Sequence, residues 1–387
     1  MAVFLLIMGL VLFVGLVVVH EFGHFIAAKR SGVEVEEFGI GFPPRAKILS
    51  KKNGTIFTLN WLPLGGFVKL KGEHDSDTTS GSFGAASLAN KVKIMLAGVG
   101  MNLATAFVLF TLLALLGMPK LIDDQFTVAG DTKVSKQQIM VGYVEADSPA
   151  QKAGLKLEDT LVGYFDPQNP VDELAADGLP STIPFEQVDS LQKITPNFAG
   201  RDLGLKIQTK QGETKSLTIR LRSMAEVEAS KKTSEPKGYL GLAPTQYTTR
   251  RSTWSAPIVA VGVIKQFTEL TLKGIGSAVA NLFRGNTTAA SSQVSGPVGI
   301  FVLLQNGSLL GYEFILMIVA VISLTLAIMN ALPIPALDGG RLFVTLLYRA
   351  IRKPLKKTTE ERIHGTGFAL LMVLFVLITI VDVRRNF

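Results

Sequence analysis

Four stretches of the chain, residues 1–20, 94–119, 314–337 and 365–381, contain no Asp, Glu, Lys or Arg. Each approaches the roughly 20 residues that an α-helix needs to cross the hydrocarbon core of a bilayer, where every backbone N–H and C=O must be satisfied internally. With 48% hydrophobic and 18% charged residues, the chain carries more apolar side chain than a water-facing surface accommodates. These features predict four transmembrane helices. The first stretch has no basic residue ahead of it and runs into His20 and Glu21 without a small-residue cleavage site, so it reads as a retained helix rather than a removed leader. Two weaker apolar stretches, 256–263 and 297–310, are interrupted by polar residues or Gly and are expected at the membrane surface or against the bundle.

Lys and Arg near helix ends set orientation. Lys29, Arg30, Arg45, Lys47, Lys51, Lys52, Lys69 and Lys71 follow the first stretch, and Arg341, Arg349, Arg352, Lys353, Lys356 and Lys357 follow the third. Both segments are expected in the cytoplasm, with the N-terminus, the long segment after the second stretch and the C-terminus outside; Arg384 and Arg385 oppose this. The net charge of +8 does not point to nucleic acid, because the basic residues are scattered and no helix-turn-helix, zinc-finger or aromatic RNA-binding signature is present. With no cysteine, disulfides, thiolate metal sites and cysteine nucleophiles are excluded. Any metal must be held by His and carboxylates.

Between the first two apolar stretches, β-prone runs at 55–61 and 67–70, punctuated by Asn53-Gly54 and Gly65-Gly66, predict a small sheet or hairpin, and 73–90 reads as a loop. From 121 to about 242 the composition becomes that of a soluble domain, with strands at 140–144, 203–209 and 216–222 and a short helix at 149–153. Residues 166–183, with several Pro, Asp and Gly, read as a surface insertion.

The sharpest chemical signal is His20-Glu21-Phe22-Gly23-His24, an H-E-x-x-H pattern at the end of an apolar helical run. Residues four apart share a helix face, so both imidazoles can meet one ion with Glu21 beside it. A catalytic zinc usually takes three protein ligands, and the expected third is a carboxylate. Asp338, in the segment 330–341 (NALPIPALDGGR), follows another uncharged run, where an unpaired carboxylate is costly. Pro333 and Pro335 are expected to interrupt that helix, and Gly339-Gly340 to allow close backbone approach.

Together these residues resemble the site-2 protease family of intramembrane metalloproteases, particularly its bacterial sigma-E regulator type, over almost the whole chain. The H-E-x-x-H and the N-x-x-P-x-P-x-L-D-G-G stretch from Asn330 are both intact. Segments 39–42 (GIGF) and 63–68 (PLGGFV) resemble the family's membrane-associated β-region, and 295–300 (SGPVGI) its stretch before the third helix. Segment 97–102 (AGVGMN) resembles its second-helix motif, with Val99 in place of the usual proline. Residues 141–155 resemble the start of a PDZ domain, although the customary Gly-Asp is Glu158-Asp159 here. The resemblance implies a multi-pass α-helical membrane protein with four transmembrane helices, a membrane-associated β-region and one inserted PDZ-like α/β domain. The expected division is helix one with the motif at 1–30, cytoplasmic β-region and loop at 31–90, helix two at 91–120 and an extracytoplasmic PDZ-like domain at 121–245. An amphipathic segment at 246–312, helix three at 313–340, a cytoplasmic basic loop at 341–363 and helix four with the tail at 364–387 complete it.

The implied activity is zinc-dependent cleavage of single-pass membrane proteins, such as anti-sigma factors or remnant signal peptides, in the bacterial cytoplasmic membrane. Zn2+ held by His20, His24 and Asp338 would acidify a water and polarise the scissile carbonyl, with Glu21 as general base. Asn102 and Asn330 are candidates to steady the substrate backbone or the oxyanion. Expected partners are the substrates, the lipid bilayer and peptide C-termini at the PDZ-like domain, with no nucleic acid. The competing readings are a membrane metal transporter or receptor, which needs no base at Glu21, and a noncatalytic adaptor that holds membrane partners.

Overall fold

In the computed structural model, which describes residues 2–168, 178–210, 212–233, 235–286 and 295–386, most of each charge-free stretch lies in a helix long and apolar enough to cross a membrane. The chain divides into a helical unit (Met1–Met118, Asp124–Asp131 and Ser252–Phe387) and a β-rich unit (Pro119–Asp123 and Thr132–Arg251).

The helical unit contains α1 (Ala2–Arg30), α2 (Leu88–Leu116), α3 (Ala256–Phe283), α4 (Pro297–Leu310), α5 (Tyr312–Ala331), α6 (Asp338–Ala350) and α7 (Lys357–Asn386). Its apolar side chains face outward as well as inward: Phe4, Ile7 and Val11 of α1 and Phe368, Leu370 and Val373 of α7 are exposed. Only 22% of the most apolar window of α1 and 11% of that of α7 is buried. Such a surface belongs in lipid. Inside, Phe110 and Leu113 of α2, Val259 and Val263 of α3 and Met317 and Leu324 of α5 form one core, with Phe110 and Phe267 stacked at 6.0 Å. The weaker stretch at 256–263 thus packs on the bundle. Leu5 and Leu16 of α1 meet Leu304 of α4 and Ile315 of α5 in a second core.

The β-region is a hairpin of β1 (Val35–Lys52) and β2 (Thr55–Leu70). Asn53 (φ 49°) and Gly54 (φ 79°) both adopt the positive φ that a tight two-residue hairpin turn demands. The expected break near Gly65-Gly66 is present within β2: Ile40 pairs with both Leu59 and Gly66, and residues 56–59 run along 37–40 while 66–70 run opposite to 35–40, so the chain reverses between 59 and 66. Side chains at Gly39 and Gly65 would collide with the rings of Phe67 and Phe42, and the glycines leave room for both. Phe25, Phe38 and Phe57 anchor the hairpin base to α1. Its distal part exposes Ile48, Leu49, Trp61 and Leu62.

The segment before α2 is a loop as expected, with no helix or strand from 73 to 87, and polar partners hold it in place. Lys91 is fully buried and pairs with Asp75, whose N–H donates to Glu360 at 2.9 Å. Phe83 lies between Lys91 Nζ (5.7 Å) and the Arg341 guanidinium (5.1 Å). A correction concerns 341–363, expected as a basic loop. Most of it is helix, because α6 buries Val344 and Thr345 while Arg349 stays on its outer side, and α7 already begins at Lys357.

The β-rich unit contains β3 (Lys133–Val144), β4 (Thr160–Phe165), β5 (Ile183–Pro184), β6 (Asp202–Gln208), β7 (Thr214–Arg220) and β8 (Leu242–Arg251). All pairings are antiparallel, in the order β8-β3-β4-β6-β7, with β5 on β4. Ile139, Val141, Leu161, Leu203, Leu205 and Ile219 fill its core. The short helix Pro149–Lys152 is capped by buried Ser148, whose Oγ accepts from the Gln151 N–H at 3.1 Å. This unit takes in residues up to 251, beyond the expected boundary at 245, whereas 124–131 belongs with the helices. The core of the expected insertion, 169–177, lies outside the described residues.

Two outcomes follow. Breaking the Lys91–Asp75 pair by Asp75→Asn leaves a cation without its counter-charge in a dry site and should cost roughly 3–5 kcal/mol, whereas Lys91→Met with Asp75→Leu should recover most of it. Thermal unfolding of the three proteins in one detergent checks this. In the β-rich unit, Arg222 grips Glu145 at 2.8 and 2.9 Å and holds its carboxyl below the ordinary value of 4.5. A depressed carboxyl stabilises the fold above its unfolded pKa and loses that contribution as pH falls through the folded one. Arg222→Met should therefore lower the calorimetric transition at pH 7, and the gap from wild type should narrow as pH drops below about 4.5.

Candidate metal centre

The last three turns of α1 place His20 and His24 on one face, as the four-residue spacing requires. Their rings lie 4.8 Å apart between centroids at 77°, with the two Nε2 atoms 3.2 Å apart. Asp338, the first residue of α6, completes a triangle: its Oδ2 is 3.0 Å from His20 Nε2 and 3.2 Å from His24 Nε2. The side chains are 10%, 12% and 24% exposed. Among the described residues this is the only trio of His and acidic side chains within ligating reach of one another.

Asp338 arrives there because α5 ends at Ala331 and Pro333 and Pro335 cannot continue it. The chain turns through Ala336 (φ 76°), whose N–H donates to His364 Nδ1 at 3.2 Å, and restarts as α6. A side chain at Gly339 or Gly340 would strike the carbonyls of Leu332 or Ile334, so the break can be this tight only with glycine.

The other ring nitrogens are also held. His24 Nδ1–H donates to the Ile94 carbonyl at 2.7 Å, which turns its Nε2 lone pair toward the triangle. Buried Asn102 of α2 sets its Nδ2 3.2 Å from His20 Nδ1, and its Oδ1 has no hydrogen-bond partner among the described residues. With Oδ1 accepting from Nδ1–H, that oxygen is satisfied and His20 presents a lone pair at Nε2 as well; the two ends of an amide are interchangeable at this position.

This arrangement fits zinc. A tetrahedral ion with bonds of about 2.0–2.1 Å separates neighbouring ligand atoms by roughly 3.3–3.4 Å, close to the triangle's edges. A cradle keeps the ligand atoms clear: a Cβ at Gly98 of α2 would run into His24 Nε2 and lie 2.6 Å from His20 Nε2. One turn away, a Cβ at Gly23 would lie 2.5 Å from the Ala97 carbonyl. Sequence reasoning assigned neither glycine a place in the site, although Gly23 stands inside the H-E-x-x-H and Gly98 inside the 97–102 segment.

Glu21, His24 and Asp338 open onto one cavity of about 130 Å3, which Val68, Ile94 and Arg341 also line. That volume holds several waters. The hairpin covers this side, since Glu21 Cγ sits 3.3 Å from where a Gly66 Cβ would be. Asn330, half-buried in the last turn of α5, makes no hydrogen bond to the triangle. His74 lies instead beside Glu360 and Glu361, at 3.8 and 3.5 Å.

Residues 8–374 match the model of peptidase family M50. A protein of Clostridium acetobutylicum provisionally named a zinc metalloprotease is 31% identical over 99% of this chain and 98% of its own length. One from Clostridium perfringens with the same provisional name is 31% identical over 98% of each chain, and one from Campylobacter jejuni is 28% identical over 96% of this chain and 90% of the relative. An H-E-x-x-H helix whose imidazoles meet a distant carboxylate, within a match of this length, makes the chain a member of peptidase family M50, a zinc metalloprotease of the site-2 type.

Proposed function

We propose that the protein hydrolyses peptide bonds in or beside the transmembrane segments of single-pass membrane proteins, with His20, His24 and Asp338 holding the zinc and Glu21 as general base. The observation that carries this reading is the convergence of the three donors beside Glu21 at the end of an apolar helix. Zinc bound there polarises a carbonyl and makes water acidic enough to attack it near neutral pH. Glu21 takes the proton of the attacking water and returns it to the leaving amine. Asn102 is 1% exposed and its amide is engaged with His20, so we assign it a positioning role in place of the oxyanion contact expected from sequence. The Asn330 side chain makes no hydrogen bond among the described residues, which leaves it available to hold substrate backbone.

A helical substrate must unwind before its peptide bonds are accessible, and the exposed apolar face of the hairpin suits an extended segment lying beside it. The β-rich unit, with its Ser148-capped helix beside β3, supports the PDZ-like reading. In the sigma-E regulator arrangement it would lie outside the bacterial cytoplasmic membrane, accepting peptide C-termini or excluding substrates with large outer domains. The basic ends of α1 and α6 would face the cytoplasm.

Cleavage of a single-pass model substrate by the purified full chain tests this reading. Glu21→Gln should lower turnover by at least about 100-fold with zinc content intact, and Asp338→Asn should lose both zinc and cleavage. Metal movement that survives Glu21→Gln, without cleavage by wild type, would instead identify a transporter. Asn102→Ala should weaken zinc affinity by about 10–100-fold with near-normal kcat once zinc is saturating; reduced kcat at unchanged zinc affinity would return Asn102 to the oxyanion.

A further inference from the structure

A second and larger cavity lies along the crossing of α1 and α2, apart from the metal centre. It measures about 490 Å3, and residues 23, 26, 27 and 30 of α1 face 90, 93, 97, 100 and 101 of α2 across it. Its chemistry is graded. Toward the interior the walls are small and apolar, with Ala97 and Gly100, and a Cβ at Gly100 would meet nothing within 4 Å. At the mouth stand Arg30, Ser31, Asn90 and Lys93, at the C-terminal end of α1 and the first turns of α2. Arg30 and Lys93 are exposed, and no acidic residue lines the cavity.

A slot with two cations at its rim and an apolar floor fits a molecule with one anionic end and one slender apolar tail. A turn of helix about 10 Å across and 5.4 Å long fills roughly 420 Å3, so the slot admits about one turn of a transmembrane segment, far short of a span. A single acyl chain is narrower. We propose that this groove binds one anionic phospholipid of the leaflet at the C-terminal end of α1, its phosphate between Arg30 and Lys93 and one acyl chain along Ala97 and Gly100. The proposal rests on the reading that α1 and α2 cross a bilayer. Because the same crossing carries Gly23 and Gly98, the lipid would brace the helix pair that holds the histidines.

Native mass spectrometry of the full-length protein in detergent, equilibrated with phosphatidylglycerol and phosphatidylethanolamine of matched chains, tests it. One phosphatidylglycerol per chain should be retained in preference to the zwitterionic lipid. Arg30→Gln and Lys93→Gln should each weaken retention by about fivefold and the double variant by roughly thirtyfold. Gly100→Leu, which fills the groove and keeps both cations, should also lose the lipid, whereas Lys51→Gln with Lys52→Gln on the hairpin should not. Unchanged elution and zinc content certify the fold of each variant. Equal retention of the two lipids, an equal loss in the hairpin variant, or full retention by Gly100→Leu would overturn the proposal. Glycerol phosphate competing at the lipid's own affinity would mark an anion site instead, and displacement by an equimolar single-pass helical peptide would mark a substrate groove; either overturns it. Resistance of wild type to carbonate extraction tests the bilayer reading separately. A carbonate-resistant protein that retains no lipid defeats only the lipid site.

Discussion

The close crossing of α1 and α2 is the constraint on which the metal centre depends. Gly98 leaves the space in which both imidazoles turn their Nε2 atoms inward, and Gly23 lets α1 approach the backbone of α2 near Ala97. Between tightly packed apolar helices, attraction is mostly van der Waals contact, so backbones that approach this closely need small residues at the point of contact. The same approach brings the Ile94 carbonyl and the Asn102 amide within reach of the far side of each ring. The helix that supplies the histidines and the helix that orients them are therefore placed by one contact.

Asp338 reaches the histidines from the far side of a broken helix, and a break of that kind exposes backbone groups that lipid cannot satisfy. The chain answers with polar partners drawn from distant segments. His364 of α7 takes the Ala336 N–H, and Arg341, one turn beyond Asp338, donates to the Glu73 carbonyl at 2.5 Å while lying 3.9 Å from Glu360. Glu360 and Lys91 are almost wholly buried and sit in the same network through Asp75. Buried charges of this kind add little net stability, but any one left alone is costly, so together they admit only the arrangement in which all are paired. Their position beside the cavity that Glu21, His24 and Asp338 share ties the rigidity of the network to the geometry of the site.

The candidate ligands were readable from the sequence because their chemistry is local. His20, Glu21 and His24 share one helix end, and Asp338 stands out as a carboxylate after a long uncharged run. The four long apolar helices were equally plain, since charge-free runs of that length have few other uses. The β-region was visible at its turns: Asn53-Gly54 closes the hairpin, and the chain reverses again before Gly66, where Phe42 and Phe67 occupy the room that Gly65 and Gly39 leave. The segment at 341–363 looked like a loop because it is polar, yet most of it is helix, and its Arg341 and Glu360 satisfy partners that include Asp75 of the loop at 73–87, which in turn pairs with Lys91.

Sequence by itself determined which residues can hold zinc, that the chain carries four membrane-length helices, and where a β-rich domain interrupts them, because spacing along one helix and the absence of charge are properties of neighbours in the chain. Tertiary structure alone decided that Gly23 and Gly98 lie against the site, that Asn102 sits beside His20, and that a groove rimmed by Arg30 and Lys93 runs beside the crossing of α1 and α2. Those facts concern the distance between helices tens of residues apart in the chain. That distance is set by packing, which no local pattern records.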